Sequence, residues 1–466
     1  MNNNYSVVII GAGMAGLGAA LTLQTSKSQF STDFILLEAQ NRPGGRIETL
    51  QIGSSTIDLG AQWVHGTDTD LYDILQENKL IHPVTSDEGL GIYIRDDGHI
   101  IDNFLVKKVD FEVGRILEEC EEYLDIITNS SVGEFLTKRF GEFLKKSDYS
   151  DDDKIIMEEL FDWHVRFQVI DNSCEDLNKL SLKEWGRYSC LGKDGQQHVN
   201  IKGGYGALVD VLVKKLPENA IQYNKVVQYV EISSSGAILI TCDDGSTLHA
   251  QSVIVTCSLG VLKHFKGLPM SPKVKTTIAN MGFDGMGKVF LEFDSKWWGS
   301  DFNGIQLIWR NGKNSSDEFP DLLRHLSGFD LVLDQNNMLM TWVGHKGVRE
   351  MEETDAEIVG KQCVQLLRKF LADDSIPFPV KVYKSKWLTN PYIRGGYSHS
   401  TPSCDSEALP PGRTLCEPFC DENNVPRVFL AGEAAHESHF STTHGAFESG
   451  QMQARKLLNF TQNFQY

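Results

Sequence analysis

The sequence predicts an α/β protein built on a parallel β-sheet, and three observations near its N-terminus support this fold class. A short run of mostly β-branched apolar residues spans positions 6–10. Glycines at positions 11, 13 and 16 follow at once and lead into a helix-like segment at 17–25. A second apolar run, 34–37, ends on an acid, Glu38. This order of strand, glycine turn, helix, strand and acid is typical of the βαβ unit that binds dinucleotides.

Each residue of this unit has a physical reason in a dinucleotide site. Gly11 permits a tight turn, Gly13 lets the backbone approach a diphosphate, and Gly16 lets the helix pack closely on the strand. The diphosphate would meet free N–H groups at the positive end of the helix dipole. Glu38 lies about 20 residues beyond the glycines, as expected of an acid that binds a ribose diol. The nucleotide could be NAD or FAD.

The turn after the second strand favours FAD. Arg42 and Arg46 flank Pro43, Gly44 and Gly45 directly after the strand that would bind the ribose. Two fixed cations on a flexible turn suit a diphosphate.

Composition limits the classes of partner. The chain has 466 residues, of which 41% are hydrophobic, and a formal net charge of −19. An acidic surface repels nucleic acid and anionic membranes, so we expect neither as a partner, whereas a cationic small substrate fits. The nine cysteines include no CxxC pair, which favours reduced thiols. We find no signal peptide, membrane-spanning run or peroxisomal C-terminal signal, and we expect a cytoplasmic protein.

Beyond residue 82 the pattern changes twice. Residues 104–184 carry apolar positions at helical spacing with few glycines and prolines, which predicts a helical insertion. Dense strands and turns return between 225 and 256, followed by a second insertion with strands at 288–293 and 338–344. A strand at 428–433 and a helix at 447–459 complete the chain.

Several motifs together resemble one family. They are Gly11 to Gly16, Leu37-Glu38-Ala39, Gly44-Gly45-Arg46, Leu59 to Gly66, Gly203 to Gly206, Gly287 to Leu291, Arg394 to Ser398, Ala431 to Ala434 and Ser441 to Ala446. In this order they look like the flavin-dependent amine oxidase family and, within it, the animal polyamine oxidase branch. They span nearly the whole chain.

The resemblance implies a Rossmann-like FAD-binding domain of the p-hydroxybenzoate-hydroxylase type, discontinuous in sequence, with an inserted α+β substrate domain. The FAD-binding domain would comprise 1–82, 200–284 and 391–466. The substrate-binding domain would comprise 83–199 and 285–390.

The resemblance also implies roles for single residues. Lys288 would hold a water against flavin N5, and His65 would be the histidine of the active site. His65, Trp63 and Tyr397 would contact the substrate amine. The residues that would contact FAD are Gly11, Gly13, Ala15, Gly16, Glu38, Arg42, Arg46, Gly60, Ala61, Gln62, Trp63, Val227, Trp387, Glu433, Thr442 and Thr443.

Two departures from the family pattern bear on function. Gly396 precedes Tyr397, where monoamine oxidases carry the cysteine that attaches the flavin, so we expect non-covalent FAD. Arg187 lies in the stretch 185–189, where animal polyamine oxidases often place an acid near the substrate. This leaves the identity of the polyamine open.

The expected reaction is oxidation of spermine, spermidine or their N-acetyl forms by hydride transfer to flavin N5, with O2 as the final acceptor. Another amine or amino acid, or a non-catalytic flavoprotein, is the alternative. We expect a monomer or weak dimer. His436, His439 and His444 lie close together, but the pair His436 and His439 is one residue short of the HExxH spacing, so we expect no metal.

Overall fold

A computed structural model describes residues 3–26, 28–127, 130–189, 197–310 and 319–463. Its α-helices, numbered α1 to α13 in chain order, are Met14–Thr25, Asp70–Glu77, Asn103–Glu121, Val132–Lys146, Asp151–Asp171, Leu182–Trp185, Gly206–Lys214, Leu259–Leu262, Pro272–Asn280, His345–Glu353, Ala356–Leu371, Pro411–Leu415 and Thr443–Asn463. Short 3₁₀ helices are Gln29–Ser31, Leu177–Lys179, Asp321–His325, Pro402–Cys404 and Glu433–Ala435.

The strands, numbered β1 to β20 in chain order, are Asn4–Ile10, Phe34–Leu37, Thr49–Ile52, Ser55–Asp58, Trp63–His65, Ile92–Arg95, His198–Asn200, Ile221–Gln222, Val227–Ile232, Ile238–Cys242, Thr247–Val255, Gly282–Phe283, Gly287–Glu292, Ile305–Ile308, Gly328–Leu331, Met338–Val343, Lys381–Lys384, Ser398–His399, Phe419–Cys420 and Pro426–Leu430. These helices and sheets confirm the mixed α/β class.

The larger sheet has a parallel centre. Within the described residues it comprises eight strands, and β20, β11, β1, β2 and β8 lie side by side in parallel. The last five residues of β1, 6–10, are buried, because helices or strands cover both faces of the sheet. Such covered strands read as continuous apolar runs, which explains why β1 was recognisable in the sequence.

Helices α1 and α13 cover one face of this sheet and touch each other through glycine. A Cβ atom added at Gly18 of α1 would lie 2.4 Å from the carbonyl oxygen of Phe447. A Cβ atom added at Gly450 of α13 would lie 1.9 Å from the carbonyl oxygen of Ala15. The two backbones therefore approach more closely than any side chain would allow. This contact fixes the first turn of α1, which carries Ala15.

The smaller sheet has the strand order β17, β13, β16, β15, β14, β6 among the described residues. Helices α3, α4 and α5 form a separate core beside it, centred on Phe140, Leu160 and Trp163. Trp163 of α5 donates a hydrogen bond to the carbonyl of Ser327 at 2.8 Å, which ties this helix to the sheet. The domain boundaries expected from the sequence stay a prediction.

The last helix begins earlier than the sequence predicts. The sequence predicts a helix from Phe447 that Ser441 to Ala446 open, with Ser-Thr-Thr as the N-cap, but α13 already begins at Thr443. The Thr442 hydroxyl accepts a hydrogen bond from the Gly445 N–H, which confirms a cap at this end. No helix in the described part of the chain has the length and apolar character needed to cross a membrane.

The α1–α13 contact predicts opposite effects for one substitution at two sites. Gly450→Ala forces the two helices apart and should lower the free energy of unfolding by about 1–3 kcal/mol. Gly114 lies on the exposed side of α3 with open space around it. Because alanine loses less backbone entropy than glycine in a helix, Gly114→Ala should raise the free energy of unfolding by about 0.5–1 kcal/mol. Urea unfolding of both variants measures this. Equal effects would contradict the packing of α1 on α13.

Candidate active site

A cavity of about 700 Å³ extends from the first βαβ unit to the aromatic residues of the smaller sheet. This volume lies in the range of small-molecule and cofactor sites. The cavity collects most of the residues singled out in the sequence. Those that line it are Gly11, Gly13, Ala15, Glu38, Arg46, Gly60, Ala61, Gln62, Trp63, His65, Val227, Trp387, Tyr397, Glu433, Thr442 and Thr443. Gly16, Arg42 and Lys288 are not on its wall.

The N-terminus of α1 is suited to an anion. Gly13 is the residue before the helix, and no side chain caps the first free N–H groups. Gly11 has φ +104°, and a Cβ atom there would lie 2.7 Å from the Thr256 hydroxyl. Gly16 packs on the Gly11 carbonyl, where a Cβ atom would lie 2.0 Å away. The turn therefore presents backbone N–H groups to the cavity, as a diphosphate requires.

Glu38 lies at the end of β2 and faces the same cavity. Its carboxylate accepts hydrogen bonds from the backbone N–H of Ala12 and of Gln40, each at 2.8 Å. Burial raises the pKa of Glu38, and these two donors oppose that shift. Each carboxylate oxygen keeps further acceptor capacity, so a ribose diol can be bound there.

Glu433 joins distant segments at the wall of the cavity. The carboxylate is buried and pairs with the Arg46 guanidinium at 3.0 Å. It also accepts hydrogen bonds from the Ser398 hydroxyl at 2.6 Å and the Ser441 N–H at 2.9 Å. Arg46 donates a further bond to the Gly396 carbonyl at 2.7 Å.

Arg42 makes its hydrogen bonds within its own loop. Its guanidinium donates to the carbonyls of Ile47 at 2.7 Å and Gly45 at 3.1 Å, and pairs with Glu48 at 3.2 Å. The loop between Arg42 and Arg46 is thereby held against the glycine turn, where the Gly44 N–H donates to the Ala12 carbonyl. The role of Arg42 as a phosphate contact stays a prediction.

Lys288 is completely buried at the start of β13. Its ammonium donates to the carbonyls of Gly60 at 2.8 Å and Asp58 at 3.1 Å and to the side-chain oxygen of Gln62. It also lies 4.4 Å from the ring centre of Trp342. Burial lowers the pKa of Lys288 to about 7, against the opposing charges of Asp58 and Glu88. Lys288 therefore holds the turn that forms one wall of the cavity.

Aromatic residues form the wall opposite the nucleotide end. Trp63 stacks on Trp342 with ring centres 6.4 Å apart and donates its indole N–H to Ser86. The Tyr397 hydroxyl donates to the backbone carbonyls of Ile170 and Asp171 at 3.1 and 3.0 Å. The buried Trp387 indole N–H has no hydrogen-bond partner among the described residues. Such walls suit a flat ring or an aliphatic chain.

His65 sits at the end of β5 beside a second histidine, His198, with ring centres 4.8 Å apart. Burial, with smaller contributions from the charges of His198 and His444, lowers the pKa of His65 to about 3. The imidazole is therefore neutral at physiological pH, and its buried Nδ1 atom has no hydrogen-bond partner among the described residues.

The structure adds acidic residues that sequence reasoning missed. Glu88, Asp171 and Glu184 all line the cavity. Glu184 is buried and pairs with the Arg187 guanidinium at 2.6 Å, so Arg187 neutralises the acid that directly precedes the stretch 185–189. Asp171 ends a long helix and Glu88 lies in a loop, and neither belongs to a local motif. Only the fold brings them together.

The histidines near the C-terminus form a hydrogen-bonded cluster with Glu448, which was not singled out in the sequence. Glu448 lies 3.2 Å from Nε2 of His436 and 2.8 Å from Nδ1 of His439. Nδ1 of His436 accepts the His439 backbone N–H, so the proton of that ring lies on Nε2 and points to Glu448. Burial alone would raise the pKa of Glu448, but the contacts with His436 and His439 outweigh it and lower this pKa to about 2. A metal ion would have to displace that proton.

The parallel sheet, the open helix N-terminus and the acid at the end of β2 make an α/β protein whose cavity has the features expected of a dinucleotide site. The sequence model of the flavin containing amine oxidoreductases matches residues 14–458, and the chain belongs to this family. The family implies a flavin cofactor and an oxidoreductase that acts on amines. The helix N-terminus, Glu38 and the size of the cavity fit such a group.

Curated relatives match along the whole chain at low identity. The peroxisomal N(1)-acetyl-spermine/spermidine oxidase of Bos taurus is 26% identical over 97% of this chain and 94% of its own length. The probable polyamine oxidase 5 of Arabidopsis thaliana is 27% identical over 98% of this chain and 99% of its own length. Lysine-specific histone demethylase 2 of Homo sapiens is 27% identical over 98% of this chain and 54% of its own length.

The buried lysine predicts a pH-dependent stability difference. The pKa of Lys288 is about 7 when folded and near 10.4 for a lysine in an unfolded chain. Between these values the unfolded chain binds more protons, so the free energy of unfolding rises with pH. Lys288→Met has no lysine to titrate at this position. Above neutrality the free energy of unfolding of wild type should therefore rise relative to that of Lys288→Met by at most about 1.4 kcal/mol per pH unit.

Urea unfolding of both proteins at neutral and at alkaline pH measures the gain. The same difference at both pH values would show that Lys288 is not neutralised on folding.

The variant Lys288→Met also tests the expected water at flavin N5. Unchanged rates of flavin reduction and reoxidation would contradict that role of Lys288.

Proposed function

We propose that this protein is a FAD-dependent oxidase of polyamines. The observation that carries the proposal is a single cavity with two ends of different chemistry. The nucleotide end presents helix N–H groups and Glu38, and the other end presents aromatic rings, a neutral histidine and carboxyl groups. Two of the relatives are named as oxidases of polyamines, which supports the same substrate class.

FAD would be held without a covalent bond. Gly13, Ala15 and Arg46 would serve the diphosphate, Glu38 the adenosine ribose, and Val227 the adenine. The Thr442 and Thr443 end of α13 would face the flavin pyrimidine. The position before Tyr397 is Gly396, which offers no thiol for attachment. A flavin, when bound, supplies the electron acceptor for amine oxidation.

The two sheets support the proposed domain division and the p-hydroxybenzoate-hydroxylase type of the FAD-binding domain. Every strand of the larger sheet comes from segments 1–82, 200–284 and 391–466 among the described residues. Every described strand of the smaller sheet comes from 83–199 and 285–390. The cavity draws its wall from both sets of segments.

The chemistry requires a neutral amine at the reacting position. A protonated nitrogen has no lone pair to stabilise the iminium that forms when a hydride leaves the neighbouring carbon. Alkylamines have pKa values near 10, as lysine does. A cavity wall of Trp63, Tyr397 and Trp387 around a neutral His65 disfavours charge at that position, and His65 can hydrogen-bond the neutral nitrogen. Overall, amine, O2 and water give an aldehyde, a shorter amine and H2O2.

Anaerobic flavin bleaching tests the proposal. The purified holoenzyme is mixed without oxygen with spermine, spermidine, their N-acetyl forms, simple monoamines and a lysine peptide. We expect rapid loss of the oxidised flavin absorbance with at least one polyamine and slow loss with monoamines. Bleaching by the lysine peptide or by a monoamine alone would replace polyamines with another amine. A yellow protein that bleaches with none of them would contradict catalysis.

A further inference from the structure

Helix α3 buries one side in a core and leaves aromatic rings on the other side. The buried side packs with α4 and α5. The opposite side, which we call the outer face of α3, consists of six exposed residues at helical spacing: Phe104, Lys107, Lys108, Phe111, Gly114 and Glu118. Phe104 and Phe111 are 58% and 68% exposed. Two phenyl rings on the same side of one helix therefore stand in solvent.

Further exposed apolar residues flank α3 in sequence. Ile100 precedes the helix, and Leu124, Ile126 and Ile127 follow it. Of the sixteen exposed large hydrophobic side chains in the described part of the chain, six lie between positions 100 and 127. Single exposed apolar side chains are common on protein surfaces and need no explanation, but a concentration of them in one segment marks an interaction surface.

The charges of the outer face are separated by sign along the helix. Lys107 and Lys108 lie in the N-terminal half of α3 and Glu118 lies in its last turn. None of the three forms an ion pair with another of the described residues. The last turn holds no basic residue, so the negative end of the helix dipole leaves Glu118 without a favourable neighbour there. Each half of the outer face thus carries the charge that complements the other half.

We propose that the outer face of α3 binds the same face of a second copy of this chain, with the two helices antiparallel about a twofold axis. An axis at the level of Val113 brings Lys108 of each copy opposite Glu118 of the other. Phe111 then lies against Gly114 of the second copy, where a Cβ atom would meet nothing within 4 Å in the single chain. A twofold contact uses the same patch on both copies, so each complementary pair forms twice.

Self-complementarity is the observation that selects a second copy as the occupant. One chain carries both the cation and the anion of each pair, at positions that an antiparallel arrangement brings together. An anionic membrane would repel Glu118 and the net charge of −19 of the whole chain. The antiparallel pair also places the N-terminal end of one helix beside the acidic end of the other, which the helix dipoles favour.

The contact is a weak one. Helix α3 has 19 residues and is about 28 Å long, so one pair of such helices buries less surface than a standard interface. The net charge of −19 also repels two copies at long range. We expect a dissociation constant on the order of 10–100 μM. No residue of the outer face lines the cavity, so the inference does not depend on the proposed function.

Sedimentation equilibrium of the purified chain tests the contact, at roughly 0.15 M salt so that charges act only over about 8 Å. Wild type should pass from monomer to dimer between about 1 and about 500 μM. Lys108→Glu and Glu118→Lys each place like charges opposite each other twice, and each should raise the dissociation constant at least about tenfold. Lys138→Glu reverses an exposed charge on α4, is the matched control, and should dimerise as wild type does.

An equimolar mixture of Lys108→Glu and Glu118→Lys distinguishes this contact from a contact elsewhere on the surface. In a mixed dimer the two reversed charges face each other and the two native charges face each other, so both pairs are attractive. The mixture should therefore dimerise about as tightly as wild type. Urea unfolding at about 1 μM, where the chain is a monomer, should be unchanged in both variants and shows that they fold.

Three results would overturn the inference. Wild type could remain a monomer at about 500 μM, which would exclude a second copy as the occupant. A dimer that both charge reversals leave intact would lie on another surface. A mixture that associates as weakly as its two components would reject the antiparallel pairing of Lys108 with Glu118.

Discussion

The buried carboxylate of Glu433 is the interaction on which the cavity depends. It accepts hydrogen bonds from the Arg46 guanidinium near the start of the chain and from the Ser398 hydroxyl and the Ser441 N–H near its end. Each donor stands next to residues of the cavity wall. A buried carboxylate is tolerated only when its acceptors are used, so these segments can move only together. The close contact of α1 and α13 fixes the other side of the same wall, because Ala15 and Gly450 leave no room between the helices.

Burial also sets the protonation of the site. It lowers the pKa of His65 to about 3 and that of Lys288 to about 7, and raises that of Glu88 to about 8. Each shift favours the neutral form of its group, since charge is costly away from water. Such surroundings also disfavour charge on an amine, as the proposed function requires at the reacting nitrogen.

The local sequence pattern was sufficient to predict the first βαβ unit, but it was insufficient to predict the residues at the aromatic end of the cavity. The alternation of apolar runs and glycines around Gly11 and Glu38 reflects backbone constraints that act within forty residues, and β1, α1 and β2 follow it closely. The membership of the family was also predictable from motifs. Glu88, Asp171 and Glu448 were missed because their neighbours are set by tertiary packing and not by spacing along the chain. The partners of Lys288 and Arg42 were beyond prediction for the same reason, since a buried lysine and a solvated strand end share the same local sequence.

The FAD affinity of Glu433→Gln tests most directly whether one carboxylate holds the site together. Arg46 would lose its counter-ion and the three segments their common acceptor, so we expect the dissociation constant of FAD to rise at least about thirtyfold, that is by roughly 2 kcal/mol or more. The far-UV circular dichroism should stay that of wild type. Glu437→Gln is the matched control, because Glu437 lies four residues away and pairs only weakly with the exposed Arg413 at 3.9 Å. Fluorescence titration of the apoprotein measures both. FAD binding by Glu433→Gln as tight as by Glu437→Gln would contradict the central role of Glu433.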